Sequence, residues 1–155
     1  MMSDKNITEN QTIVLFSLDE QHYGLYLSAV ERVVLTVEIT ALPKVPSIVM
    51  GVVNFHGEII PVINIRKRFN LPEREVELDD QLIIARTAKR IVAFVVDLVS
   101  GVHELKHSHL VDIKEAFQYT EYLSGIAKVE DNIVLIHDLE KFLSLEEQEL
   151  IDKIL

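Results

Sequence analysis

An internal repeat constrains this chain more than any other feature. Residues 51–69, GVVNFHGEIIPVINIRKRF, lie over residues 125–143, GIAKVEDNIVLIHDLEKFL, at a constant offset of 74 and without a gap. Gly51 falls on Gly125, Val52 on Ile126, Phe55 on Val129, Ile59 on Ile133 and Ile60 on Val134. Val62 then meets Ile136, Asn64 meets Asp138, Ile65 meets Leu139 and Phe69 meets Leu143. Upstream, residues 24–33 lie over 93–102 at an offset of 69, matching Leu25 with Phe94, Leu27 with Val96, Ser28 with Asp97, Val30 with Val99 and Val33 with Val102. Turn and cap residues stay in phase with the apolar ones, which unrelated alternating hairpins rarely do. The pattern predicts two similar strand-rich units, each too small to bury its own hydrophobic faces well alone. They are expected to pack against each other and to leave a groove between them.

The local pattern is mostly β. Thr12–Leu18 and Tyr23–Leu27 read as two strands around the turn Asp19-Glu20-Gln21, and Val52–Phe55 with Glu58–Ile65 as a hairpin around His56-Gly57. Gln81–Ala85, Ile91–Val96 and Gly101–Leu105 read as three further strands, and Ile126–Val129 with Ile133–His137 as a hairpin around Asp131-Asn132. Ser28-Ala29-Val30-Glu31 and Ser144-Leu145-Glu146-Glu147 both have capping-box form. The first predicts a short helical turn. The second opens an amphipathic helix over 145–155, with Leu145, Leu150, Ile151 and Ile154 mostly on one side. Thr36–Val45 is a connection ending near Pro43 and Pro46, and Leu71–Asp80 reads as a polar linker.

Composition narrows the function. With 48% hydrophobic and 26% charged residues, the 155-residue chain can bury a core and stay in solution. Its longest apolar runs, such as Ile59–Ile63 and Ile91–Val96, fall far short of the roughly 20 residues that span a bilayer. Met1–Gln11 is polar, reads as a disordered tail and lacks signal-peptide form. The absence of cysteine removes disulfides and thiolate metal sites, and the location expected is cytoplasmic. A net charge of −10 sets the surface against nucleic acid and anionic lipid. Arg66-Lys67-Arg68 is the only basic cluster and, like the acidic run Glu73–Asp80, reads as a solvated face.

Catalysis finds little support. His103, His107 and His109 sit near Glu104 and Asp112, but their spacing follows neither a helical zinc motif nor a finger, and a polar loop is the better reading. Asp79 beside Asp80 reads as part of a charged linker. No Gly-x-Ser-x-Gly turn is present, and five glycines leave no room for a phosphate-cradling loop. The expectation is a non-enzymatic protein with no cofactor and no metal.

The run Gly51-Val52-Val53-Asn54-Phe55-His56-Gly57 followed by Pro61-Val62-Ile63-Asn64-Ile65-Arg66 resembles the central signature of the CheW family of chemotaxis adaptors. Tyr23-Gly24-Leu25 with Val30–Val33 resembles that family's upstream element. Val95-Val96-Asp97-x-Val99 and Thr120-Glu121-Tyr122-Leu123-Ser124-Gly125-Ile126 resemble two further family segments, all in order from about Thr12 to the C-terminal helix. The resemblance implies an all-β fold of two tandem SH3-like five-stranded barrels on a shared hydrophobic core, with short helical turns and a C-terminal helix. On this view 12–155 is one CheW-like domain, made of subdomains at about 12–75 and 80–143 plus the helix 145–155. The implied function is a scaffold coupling methyl-accepting chemoreceptors to a CheA-type histidine kinase, recruited to membrane-bound receptor arrays. The alternative is an SH3-like peptide-binding module in a chemosensory pathway other than flagellar chemotaxis.

The same resemblance implies contact residues. The cytoplasmic tip of the receptor would meet Val30, Arg32, Val33, Gly51, Asn54, His56 and Gly57 in helix-in-groove fashion. The regulatory domain of the kinase would meet Thr36, Val37 and Ile39, and a second kinase contact would use Phe117. Two positions depart from the family pattern. Its usual Arg is His56 here and its usual Glu, in an element read as helical, is Arg32, so the ion pair of typical members is unavailable.

Overall fold

A computed structural model of the chain describes residues 12–106, 110–111 and 123–155. The tail Met1–Gln11, His107, His109, Asp112, Phe117 and the segment Thr120–Tyr122 lie outside the described residues. Eleven strands are present among them: β1 Thr12–Leu18, β2 Gln21–Tyr26, β3 Val30–Leu35, β4 Val49–Phe55, β5 Glu58–Ile63, β6 Gln81–Arg86, β7 Ile91–Val96, β8 Leu98–Glu104, β9 Leu110–Val111, β10 Leu123–Val129 and β11 Asn132–His137. Two α-helices, α1 Ile65–Arg68 and α2 Leu145–Ile154, and two 3₁₀ turns, Leu27–Ala29 and Leu139–Lys141, complete the set. The all-β class with short helices and a C-terminal helix is as expected.

Three hairpins close on two-residue turns whose central residues both have positive φ. These are Asp19-Glu20 (49° and 70°), His56-Gly57 (52° and 84°) and Glu130-Asp131 (48° and 69°). That geometry matches the right-handed twist of the flanking strands. The third turn lies one residue earlier than the Asp131-Asn132 reading, because Asn132 pairs with Val129 across the ladder. The repeat is visible here: His56 and Gly57 map by 74 onto Glu130 and Asp131. The bulge between Val49 and Gly51 likewise maps onto the one between Leu123 and Gly125.

The strands form a six-stranded sheet, β8-β1-β2-β11-β10-β9, and a five-stranded sheet, β3-β6-β7-β5-β4. Under the two offsets β1, β2, β3, β4 and β5 correspond to β6, β7, β8, β10 and β11, so the orders of five strands are the same in both sheets. The extra β9 pairs Val111 with Ile126, and its counterpart is the single bridge between Thr40 and Val52. The compact units do not coincide with the sequence halves 12–75 and 80–143. One unit joins the chain up to Val30 to Asp97–Lys141; the other joins Glu31–Val96 to Phe142–Leu155. The repeats are tandem in sequence, but each sheet takes the first hairpin of one repeat and the second hairpin of the other. The joints are parallel pairings, Ile136 with Gly24 in one sheet and Val62 with Ala93 in the other. These are equivalent positions, since 62 + 74 = 136 and 24 + 69 = 93.

Each unit has an apolar cluster. In the first, Ile13, Leu105, Ala127, Val129, Val134 and Ile136 pack together. In the second, Val53, Ile60, Val62, Leu82, Ile84 and Ala93 do so. β6 and β7 lie inside their sheet, and Leu82–Ala85 and Val92–Phe94 are buried continuously rather than alternately, as in strands covered on both faces. Edge-on ring packing of Phe142 against Phe69 and Phe94 seats the C-terminal segment on this unit.

Several local readings are corrected. Ser28 caps nothing: the 3₁₀ turn Leu27–Ala29 has no side-chain cap, and Val30 is already extended. The β-branched residues Val30, Val33 and Val34 favour a strand, so Arg32 stands on β3 and not on a helix. The basic cluster is not simply solvated. Arg66 is buried and donates to the Pro72 carbonyl, while Arg68 forms a two-pronged pair with Glu147 at 2.7 Å. On α2 the buried residues are Gln148 and Ile151, whereas Leu145 is 71% exposed and Leu150 and Ile154 also face outward.

Candidate protein-docking site

Both candidate surfaces can be described on the unit formed by Glu31–Val96 and Phe142–Leu155. The first is built on β3 and the β4–β5 hairpin. The Asn54 side chain accepts from the Gly57 amide at 3.0 Å, holding the positive-φ turn. The turn aims His56 outward beside Phe55, the two rings lying edge-on at 4.3 Å. Arg32, projecting from β3, lays its guanidinium 5.5 Å from the centre of the Phe55 ring. Arg32, Phe55 and His56 thus line one cavity of about 230 Å³ with Glu31, Glu58, Ile60, Ile84 and Ile91. Glu31 is occupied by Arg86 at 2.7 Å. Where an acid–base pair was expected to be missing, a cation over a ring stands instead.

Of the seven residues expected to meet a receptor, Arg32, Asn54, His56 and Gly57 are exposed, and Val30 and Val33 are half-buried along β3. Gly51 is not among the exposed group. It is buried on β4 beneath Thr40, with φ at +155°, and a Cβ there would stand 2.3 Å from the Thr40 carbonyl oxygen. Thr40 and Val52 exchange backbone hydrogen bonds of 2.8 and 2.9 Å across the same place. A side chain at 51 therefore displaces the segment around Thr40 before it reaches any partner.

That segment carries the second surface. Thr36, Val37 and Ile39 come together with Glu38, Met50, Val76, Glu77 and Leu78 around an open, mostly apolar cavity of about 560 Å³. Val37 is 38% exposed and Leu78 97%. Ile39 and Met50 also rest against the apolar cluster of the unit, which fixes the floor. The supposed polar linker supplies one wall. Asp80 is 2% exposed, grips Arg74 through both oxygens at 2.7 and 2.9 Å, and accepts from the Glu77 amide at 2.8 Å. Its carbonyl receives the Thr36 amide and hydroxyl at 3.1 and 2.9 Å, tying the loop to the 36–39 segment. Sequence reasoning found Thr36, Val37 and Ile39 but missed Met50, Val76 and Leu78. The available signal was two apolar residues, two apart, inside an otherwise charged run.

Glu77, Asp79 and Asp80 bring carboxylate oxygens within 4.8 Å of one another, yet those of Asp80 serve Arg74 and the Glu77 amide. His103 lies on β8 opposite Ile13, and its sequence neighbours His107 and His109 fall outside the described residues, as does Phe117.

Residues 12–147 match the CheW-like domain family. The chain is 29% identical over 149 residues to a protein named chemotaxis protein CheW from Klebsiella aerogenes, covering 95% of this chain and 90% of that one. A second chemotaxis protein CheW, from Thermotoga maritima, is 29% identical over 131 residues, covering 84% and 86%. Among solved structures, the scaffolding protein TtCheW from Thermoanaerobacter tengcongensis superimposes with a TM-score of 0.79 at 32% identity, covering 89% of this chain and 95% of that one.

Proposed function

This chain belongs to the CheW family of chemotaxis scaffolding proteins, and from that premise we propose that it joins two named partners through the two surfaces of one unit. It is a non-enzymatic coupling protein of chemotaxis signalling. A CheA-type histidine kinase docks its regulatory domain on the cavity of Thr36, Val37 and Ile39. A methyl-accepting chemoreceptor presents its cytoplasmic tip to Arg32 and the Asn54–Gly57 turn. Among the described residues no helix is long and apolar enough to cross a membrane. Binding to the receptor tip would recruit the protein to a membrane-bound array.

The observation that carries this reading is the 560 Å³ cavity, which gathers Thr36, Val37 and Ile39, three of the four expected kinase-contact residues, into one partly exposed apolar surface. A few desolvated apolar side chains commonly dominate such interfaces. Val37→Glu is expected to weaken binding of the kinase regulatory domain by more than about tenfold while a receptor cytoplasmic fragment binds as before. Titration calorimetry with each partner separates the two, and an equal loss of both would remove the assignment.

A further inference from the structure

Residues 73–80 are a poor candidate for a passive linker. Five of the eight are acidic, a composition that ordinarily stays solvated and loose. Here the segment is pinned at both ends and in the middle. The Asn64 side-chain Nδ2 donates to the Glu73 carboxylate at 2.6 Å and Arg74 donates to the Glu75 carbonyl at 2.8 Å. Arg74 and the Glu77 amide converge on the buried Asp80 carboxylate, and Thr36 holds the Asp80 carbonyl. Burying an ion pair is expensive unless its hydrogen bonds are completed, as they are here. What this scaffold holds outward is Leu78, almost wholly exposed, with Val76 beside it, while Glu38 and Glu77 stand in the same cavity lining.

We propose that loop 73–80 is half of the docking socket, and that the socket selects an apolar projection bordered by lysine or arginine side chains. This rests on the kinase reading given above and identifies the chemistry of the surface that the kinase regulatory domain must present. Leu78 and Val76 supply apolar lining to the same cavity as Val37. Glu38 and Glu77 form an acidic lip that attracts a basic border and repels an acidic one. The network around Asp80 orders the loop during folding, so the ordering cost does not fall on binding.

The test uses the full chain and the kinase regulatory domain, titrated at about 50 mM and about 300 mM salt. Leu78→Ser is expected to weaken binding by about tenfold. Its thermal unfolding should match the parent, since the side chain touches almost nothing in its own fold. The double variant Glu38→Gln, Glu77→Gln should bind more weakly at low salt and lose most of the salt dependence that the parent displays. Parent-like affinity of Leu78→Ser, or an unchanged salt dependence in the double variant, overturns the proposal. If Val37→Glu still weakens binding in that case, the kinase reading stands and only the role of the loop falls. If neither the parent nor any variant binds the kinase domain, both fall together.

Discussion

His137 shows how a single side chain couples burial to pH. It ends β11 at 4% exposure, with its ring 5.5 Å from Tyr23 and Nδ1 3.2 Å from the Leu135 carbonyl oxygen. Burial disfavours the charged ring and lowers the pKa to about 4 from 6.5, against the raising effect of that carbonyl. The unfolded chain therefore takes up a proton that the folded chain refuses between those two values. The stability this neutral ring confers is complete above pH 6.5 and is lost as pH falls toward 4. The window corresponds to about 3 kcal/mol. Urea unfolding across it should show the parent losing stability by about that much more than His137→Gln, and parallel curves would disprove the assignment. Nothing in the sequence singled out this histidine. By contrast Asn64 was legible from the repeat, and its side chain accepts from the Lys67 amide as its counterpart Asp138 accepts from Glu140. Cap and turn chemistry is local. The fates of Arg68 and Asp80 were misread because their surroundings come from packing, and Glu147 lies 79 residues from Arg68.

Among the elements, the two capping-box sequences had opposite outcomes. At Ser144 the box forms fully: the hydroxyl accepts from the Glu147 amide at 3.1 Å and the Glu147 carboxylate accepts from the Ser144 amide at 2.8 Å. At Ser28 the following valines are drawn into β3, because sheet pairing outweighs a cap that only a free helix could use. Partial burial pushes the Glu147 carboxyl up, but the Ser144 amide and Arg68 together hold it below its ordinary range. Its contribution is thus present above its ordinary pKa of 4.5 and lost as pH falls through the folded value. Ser144→Ala should lower stability by about 1 kcal/mol. Amide exchange would speed up along 144–155 while β6 and β7 keep their protection; uniform acceleration throughout would mean that the helix and sheet open as one body. The amphipathic pattern of the helix was a weaker guide, since the positions it buries are Gln148 and Ile151, and Gln148 also meets Arg90.

At the scale of the whole molecule, the exchange of hairpins between repeats makes the halves interdependent. A fragment 12–79 holds β2 without β11 and β5 without β7, and a fragment 80–155 holds their counterparts without partners. Each is expected to give the poorly dispersed amide spectrum of an unfolded chain, and their mixture to recover the native one. Cooperative unfolding of either fragment alone would contradict the exchange. Much of this fold was legible from sequence alone: the β class, the His56-Gly57 hairpin, the equivalence of residues 51–69 and 125–143, and a cluster of apolar residues at 36–39. All of these follow from short-range periods and turn geometry that a residue shares with its neighbours. Tertiary structure alone decided which repeat each hairpin joins. β2 and β7 are equivalent in sequence, as are β5 and β11, so a local pattern suits pairing within a repeat as well as pairing across. Only the path of the complete chain breaks that tie. Closure of the chain likewise buries Asp80, orders the charged run around it, and leaves Leu78 exposed at the cavity that Val37 also lines.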